Sequence, residues 1–263
     1  MIIDFHTHTF PEKIAEKALA TLSNNVGDVE PMIFSIPDNL SEYLKKNDVD
    51  YSVVLNIATN PKQQKSVNDF AIELNQGRFI SFGSVHPDAE DALEELDRIS
   101  EAGLKGIKLH PDYQNFFVDD EKVFPIYEKA AKLGLITVFH AGVDLGLFEP
   151  VHCTPERMAK ALPAFNGGKV VAAHWGGFMM WYGVEQHLVG KDIYFDTAYA
   201  YGHMPKEQAM RIVKNHGAGK ILFGSDMPWS GSREEMRFIK SFNLSAENEA
   251  KIFGINAQKL LNL

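Results

Sequence analysis

The sequence of 263 residues contains one cysteine, Cys153, and fewer basic than acidic residues. A single cysteine cannot form an internal disulfide, so nothing in the sequence indicates an oxidising compartment. We interpret Cys153 as a small loop residue rather than as a nucleophile. Lys and Arg total 26 against 35 Asp and Glu, which gives a formal net charge of −9. This charge argues against nucleic acid as the main partner.

Long apolar segments are also missing. No run approaches the roughly 20 residues that a helix needs to span a membrane. The N-terminus has no basic segment followed by an apolar one, so we do not expect a signal peptide. No G-x-G-x-x-G motif follows the first apolar run, which removes the main support for a dinucleotide-binding fold. Without a linker or low-complexity segment, we expect one cytoplasmic domain over residues 1–263 that does not contact membranes.

What the sequence does contain is a repeated alternation of short apolar runs with longer amphipathic stretches. The eight runs are Ile2–Phe5, Ser52–Ile57, Phe79–Val85, Gly106–Leu109, Ile136–Phe139, Val170–Ala173, Ile193–Phe195 and Ile221–Phe223. Several are continuously apolar, as is typical of parallel strands buried on both faces. Eight strand–helix units in one series predict an α/β fold closed into a (β/α)₈ barrel, the TIM barrel.

Several connections carry signals for the start of a helix, and Asp88 before Ala89–Glu101 is one of them. Three others combine a capping residue with a second signal. The signals are Asn60-Pro61 before Lys62–Asn75, Thr154-Pro155 before Glu156–Leu162, and a Ser232/Glu235 capping box before Met236–Phe242. The longest connection, from Thr9 to Asp50, is predicted to hold helices over Pro11–Leu22 and Leu40–Lys46. Connections of this length are often functional, but a segment that only caps the barrel is an equal alternative.

Ligand-type side chains follow the ends of the apolar runs. They are His6 and His8, His86, His110, His140, His174 and Asp226. In a (β/α)₈ barrel all strand C-termini open on one face, which carries the active site. The i, i+2 spacing of His6 and His8 puts both imidazoles on one side of a strand, where they can bind one metal ion. A third histidine and a carboxylate would complete the site, and Asp4 has the parity of a residue that orients His6.

Five motifs resemble those of the amidohydrolase superfamily, in the branch that includes aminocarboxymuconate semialdehyde decarboxylase. They are Asp4-Phe5-His6-Thr7-His8, Gly106-Ile107-Lys108-Leu109-His110-Pro111, Phe139-His140-Ala141-Gly142, Ala173-His174-Trp175-Gly176-Gly177 and Gly224-Ser225-Asp226-Met227-Pro228. The C-terminal segment Ile255–Leu261 is similar to the family's last helix. The resemblance covers nearly the whole chain; it is specific for the superfamily and weakly specific for the substrate.

The resemblance implies roles for these residues. His6, His8, His140 and Asp226 match the ligands of one divalent metal ion, for which we favour Zn²⁺. His174 and Asp226 are implied to act in catalysis. Binuclear relatives carry a carboxylated lysine where this chain has Lys108, and here we expect an unmodified lysine. The resemblance also leads us to expect a homodimer.

Substrate contacts are predicted for Lys108, His110 and Trp175, although His110 could equally have a structural role. Aromatic residues on the predicted active face suit a small, flat, partly apolar molecule. They are Phe10, Tyr113, Trp175, Phe178, Trp181, Tyr199, Tyr201 and Trp229. For any single one of them, packing between a helix and the barrel is the better interpretation.

Two reactions fit this set of residues. We favour hydrolysis, in which a metal-activated water attacks an ester, lactone or amide carbonyl of a small molecule that carries a carboxylate. The alternative is non-oxidative decarboxylation of an unsaturated or aromatic acid. Only Arg157 and Arg233 fall near the predicted active face, and neither is a clear counterpart of the arginine that binds the substrate carboxylate in decarboxylases. A barrel that binds a ligand without catalysis is a third, weaker hypothesis.

Overall fold

The computed structural model describes residues 1–25, 29–147 and 149–263. Its eight parallel strands are β1 (Ile3–Thr7), β2 (Tyr51–Leu55), β3 (Phe79–Phe82), β4 (Gly106–Leu109), β5 (Ile136–Phe139), β6 (Val170–Ala172), β7 (Tyr194–Asp196) and β8 (Ile221–Leu222). They pair in chain order as a group of three, β1 to β3, and a group of five, β4 to β8. Each predicted apolar run therefore contains or overlaps one strand.

Backbone hydrogen bonds join the two groups into a closed barrel. Between β3 and β4, Gly83 N donates to Gly106 O at 3.0 Å and Lys108 N donates to Gly83 O at 2.8 Å. Between β8 and β1, Phe5 N donates to Phe223 O at 2.7 Å. This closure confirms the predicted (β/α)₈ barrel.

Helices cover the barrel and cap it. They are α1 (Glu12–Asn25), α2 (Pro37–Lys46), α3 (Gln64–Leu74), α4 (Ala92–Glu101), α5 (Phe124–Lys132), α6 (Pro155–Ala161), α7 (Trp181–His187), α8 (Lys206–His216), α9 (Ser232–Lys240), α10 (Ala246–Ala250) and α11 (Asn256–Leu261). One apolar cluster joins strand residues such as Phe5 and Val138 to α11, and a larger cluster lies between the strands and the surrounding helices. In the described parts of the chain, no helix has the length and apolar character required to cross a membrane.

At two of the predicted helix starts, the predicted N-cap residue makes the expected side-chain hydrogen bond. Thr154 accepts a hydrogen bond from Arg157 N at the start of α6. Asn60 accepts one from Lys62 N, although it opens a single 3₁₀ turn, Pro61–Gln63, before α3.

The capping box predicted at Ser232 and Glu235 is wrong. The N-cap of α9 is Gly231, without a side-chain cap. Ser232 Oγ bonds to Asp4 Oδ2 at 3.0 Å, and Glu235 accepts from the backbone of Tyr201 instead. Both side chains have tertiary partners, which override the local signal.

Candidate metal centre

Three of the predicted ligands meet at the C-terminal end of the barrel. His6 Nε2, His8 Nε2 and Asp226 Oδ1 lie 3.2 Å from one another, at the corners of a nearly equilateral triangle. Donors bound at about 2.0–2.1 Å around one tetrahedral zinc ion are about 3.3 Å apart. Two imidazole nitrogens and one carboxylate oxygen are also a chemically suitable donor set. The three residues therefore fit one small divalent cation.

Backbone contacts between β1 and the loop after β8 hold this triangle together. Asp226 N donates to His6 O at 2.8 Å, and His8 N donates to Met227 O at 2.7 Å. Asp226 has φ +73°, a conformation that few non-glycine residues adopt. The first strand, β1, and the loop after the last strand, β8, are thus joined at the point where the candidate ligands lie.

The ring of His8 is oriented by a backbone carbonyl. His8 Nδ1 lies 2.9 Å from Leu55 O, at the end of β2. A carbonyl can only accept, so Nδ1 carries the proton and Nε2 keeps its lone pair for the triangle.

The ring of His6 is oriented by Asp196, which sequence reasoning missed. His6 Nδ1 lies 2.8 Å from Asp196 Oδ2, and both side chains are buried. Asp196 directly follows the seventh apolar run, so the strand-end signal that identified the candidate ligands could have identified it as well. Burial lowers the pKa of His6 well below its usual 6.5, so its ring is neutral at pH 7.

Asp4, predicted to orient His6, contacts the backbone of that residue and not its ring. It accepts from His6 N, Ser225 N, Ser225 Oγ and Ser232 Oγ, and it makes no contact with the imidazole. The pairing of β1 with β2 shifts register between Asp4 and Thr7. Because of this irregularity, the period-two parity that linked Asp4 to His6 does not hold.

His140 lies beside the triangle rather than within its three-ligand group. Its Nδ1 is 3.2 Å from His174 Nε2, and His174 Nδ1 is 3.1 Å from Ala198 O. The carbonyl makes His174 Nδ1 a donor, so His174 Nε2 accepts from His140 Nδ1. His140 Nε2 is then left with a lone pair, and it is buried without a partner among the described residues. An unpartnered imidazole nitrogen is a further donor suited to a metal ion.

Burial keeps the rings of His140 and His174 neutral. Burial lowers the pKa of His140 well below 6.5 and lowers the pKa of His174 to about 4. Lys108 is also buried, 1% exposed, and burial lowers its pKa to about 8 despite the nearby carboxylates of Asp196 and Asp226. Lys108 is therefore mostly protonated at pH 7 and provides the positive charge beside the ligands.

His110 forms a second histidine–carboxylate contact next to His140. Its ring stacks on His140 with centroids 4.2 Å apart and planes at 9°, and its Nε2 lies 3.3 Å from Asp144 Oδ2. The ring of Tyr113 also packs against the ring of His110, with centroids 4.2 Å apart. Asp144 lies in the loop after β5, away from a strand end, so no periodic signal could have found it.

Trp175, for which the sequence analysis predicts a substrate contact, packs in the core of this structure. It is fully buried in the main apolar cluster, and its ring packs against Phe242 with centroids 6.1 Å apart. His174 and Trp175 have φ of 57° and 59°, and this left-handed turn separates the directions of the two side chains. Phe178 packs near His174, with ring centroids 6.1 Å apart. The ring of Tyr199 packs in turn against Phe178, with centroids 5.6 Å apart.

The two arginines considered from the sequence are engaged elsewhere. Arg157 pairs with Asp119 at 2.6 Å and covers the ring of Phe117, and Arg233 donates to Lys46 O at 2.6 Å. Cys153 is buried in a loop, and burial raises the pKa of its thiol, so it is not a nucleophile at neutral pH.

Part of the long connection between β1 and β2 lies along the edge of the site. Ser35 Oγ donates to His8 O at 2.6 Å, Thr9 Oγ1 donates to Ser35 O at 2.9 Å, and Met32 N donates to Pro228 O at 2.9 Å. The segment around residues 32–35 therefore packs against the loops that carry His8 and Asp226.

Comparisons with known proteins find similarity along the whole chain. The 2-amino-3-carboxymuconate-6-semialdehyde decarboxylase of Dictyostelium discoideum is 27% identical over 328 aligned positions, covering 99% of this chain and 91% of the relative. The structure of 5-carboxyvanillate decarboxylase from Sphingomonas paucimobilis superposes with a TM-score of 0.75 at 14% identity, covering 100% of this chain and 99% of the other. A manganese-bound dihydroxybenzoic acid decarboxylase from Polaromonas, with the inhibitor 2-nitroresorcinol, gives a TM-score of 0.74 at 16% identity and coverages of 100% and 97%.

The relative from Dictyostelium discoideum favours the decarboxylase alternative over the hydrolase reaction that the sequence analysis placed first. The family model described as amidohydrolase matches residues 3–263. The chain is an enzyme of the amidohydrolase family.

Proposed function

We propose that this enzyme is a metal-dependent, non-oxidative decarboxylase of a small unsaturated or aromatic carboxylic acid. The observation that carries the proposal is the triangle of His6 Nε2, His8 Nε2 and Asp226 Oδ1, with buried Lys108 beside it. The decarboxylases among the relatives support this choice over hydrolysis.

His6, His8 and Asp226 would hold the metal ion, and His140 Nε2 would supply a further donor. A divalent ion at this position supplies Lewis acidity, which stabilises negative charge on a substrate oxygen. We propose Zn²⁺ because the donors are mainly imidazole, and Mn²⁺ is the second candidate.

Decarboxylation breaks the bond between carbon and the carboxylate, and a proton takes the place of the departing CO₂. The ammonium of Lys108 binds the substrate's negative charge, since its pKa of about 8 keeps it protonated at pH 7. Asp226 turns Oδ1 to the two histidines, so its second oxygen is the place to hold the proton for the substrate carbon. His174, with its ring fixed by Ala198 O, accepts from His140 Nδ1 through Nε2 and thereby keeps the lone pair of His140 Nε2 available for the metal ion. The catalytic role of His174 stays a prediction.

Phe178 and Tyr199 provide the apolar contact for a flat substrate near His174. The substrate contacts of Lys108 and His110, the homodimer and the cytoplasmic location stay predictions.

The test is a product assay with protein reconstituted with Zn²⁺ or with Mn²⁺. A panel of aromatic and unsaturated acids, esters, lactones and amides is offered, with the carboxyl groups of the acids labelled with ¹³C. We expect ¹³CO₂ from at least one acid, and its loss in Asp226→Ala. The control His187→Ala changes a histidine of α7 outside the site and retains activity.

Acid release from an ester, lactone or amide without CO₂ would instead establish the hydrolase. Stoichiometric metal with no turnover over a broad panel would favour the binding barrel.

A further inference from the structure

We propose that Asp196 is the positioning residue of the metal centre, because it sets the tautomer of His6 and thereby makes His6 Nε2 available as a ligand. The inference rests on the proposed metal site and goes beyond it by assigning a role to a residue outside the ligand set. Asp196 ends β7 and is fully buried.

Both oxygens of Asp196 have fixed partners. Oδ1 accepts from His174 N at 2.9 Å and from Ala198 N at 3.1 Å. Oδ2 lies 2.8 Å from His6 Nδ1. One carboxylate thus orients the ring of His6 and holds the backbone of the loop that carries His174.

The direction of the hydrogen bond to His6 follows from the proposed metal site. A metal ion at Nε2 needs the lone pair of that atom, so His6 Nδ1 carries the ring proton and donates it to Asp196 Oδ2. His6 Nε2 is then unprotonated and points to His8 and Asp226 at 3.2 Å. Histidine ligands whose other ring nitrogen donates to a carboxylate are held in the orientation and tautomer that a metal requires.

Replacing Asp196 by Asn would reverse this tautomer without changing the volume of the side chain. The amide has one oxygen, and the two backbone N–H groups at the Oδ1 position require that oxygen. The NH₂ group is then turned towards His6 Nδ1, where a second donor cannot be accommodated. Nδ1 must accept, and the ring proton moves to Nε2, the atom that would bind the metal.

Asp4 offers a matched control on β1, next to the same histidine. It is also fully buried, and its Oδ1 accepts from His6 N and Ser225 N. Its Oδ2 contacts two hydroxyl groups, Ser225 Oγ at 2.6 Å and Ser232 Oγ at 3.0 Å. A hydroxyl accepts as well as donates, so the NH₂ group of Asp4→Asn has partners. This variant removes the same charge from a similar environment and leaves the His6 tautomer unchanged.

The experiment measures metal affinity and tautomer separately from activity. Zn²⁺ affinity is determined by competition with a chromogenic chelator for the wild type, Asp196→Asn and Asp4→Asn. We expect a loss of about 10- to 100-fold in Asp196→Asn, as for other carboxylate partners of metal-bound histidines. Asp4→Asn should stay within about threefold of the wild type, a margin well below that expected loss.

The tautomer is determined in metal-free protein from the ¹⁵N shifts of the His6 ring. We expect Nδ1–H in the wild type and in Asp4→Asn, and Nε2–H in Asp196→Asn. Wild-type Zn²⁺ affinity in Asp196→Asn, or an Nε2–H tautomer in the wild type, would overturn the proposal. The wild-type measurement stands even if Asp196→Asn does not fold. If the wild type bound no metal, the proposed function would fail, while the tautomers of the metal-free proteins would still test Asp196.

Discussion

Glu235 offers a quantitative test of the electrostatics around the barrel. It is fully buried on α9 and accepts from Ala200 N at 3.3 Å, Tyr201 N at 3.1 Å and Ser230 Oγ at 2.8 Å. Burial raises its pKa from 4.5 to about 8, although these hydrogen bonds oppose the shift. The side chain therefore anchors the loop after β7 while carrying a proton that the unfolded chain would have lost.

The sign of the pH dependence follows from the two pKa values. Between pH 4.5 and pH 8 the folded protein binds this proton more strongly than the unfolded chain does. The free energy of unfolding therefore falls as pH rises through this window, by about 1.4 kcal/mol per pH unit at most. Below pH 4.5 the stabilisation that comes from binding this proton is fully present, and above pH 8 it has been lost.

Glu235→Gln removes this titration and keeps the geometry. The amide oxygen accepts from the backbone of Tyr201, and the NH₂ group donates to Ser230 Oγ. Relative to the wild type, the variant should gain about 3 kcal/mol of stability between pH 5 and pH 8.

Urea unfolding at pH 5, 6, 7 and 8 measures this difference, because the titration of all other groups cancels between the two proteins. The exposed Glu207→Gln on α8 serves as the control and should show no such trend. A constant difference between Glu235→Gln and the wild type over this range would refute the reasoning.

Two further outcomes are expected. Gly106→Ala should destabilise the protein by about 3 kcal/mol, because a Cβ there would lie closer than 3.0 Å to Ile136 O and the ring of Phe82. Gly103→Ala, with open space but φ +82°, should cost only about 1 kcal/mol, and equal losses in urea unfolding would contradict this. Lys108→Met should lower kcat/KM for the identified acid by about 10- to 100-fold through loss of a charge-assisted contact. Unchanged steady-state kinetics would remove Lys108 from substrate binding.

Much of the fold was predictable because its signals are local. Gly106–Leu109 and Ile136–Phe139 were predicted with the bounds that β4 and β5 have in the structure. Continuous apolar runs separated by amphipathic stretches require parallel strands covered by helices, whatever the later packing. The strand-end rule then placed His6, His8 and Asp226 on one face of the barrel before any distance was known.

What the sequence by itself determined was therefore the barrel, the face that carries the candidate site and a set of candidate metal-binding residues. Only the tertiary structure decided how those residues are oriented. The left-handed turn at His174 and Trp175 sends the indole into the core, and the irregular pairing of β1 turns Asp4 away from the ring of His6. Asp196 orients that ring from a position 190 residues away in the chain. Such contacts depend on closure of the barrel, which brings distant strand ends within hydrogen-bonding distance and leaves no periodic trace in the sequence.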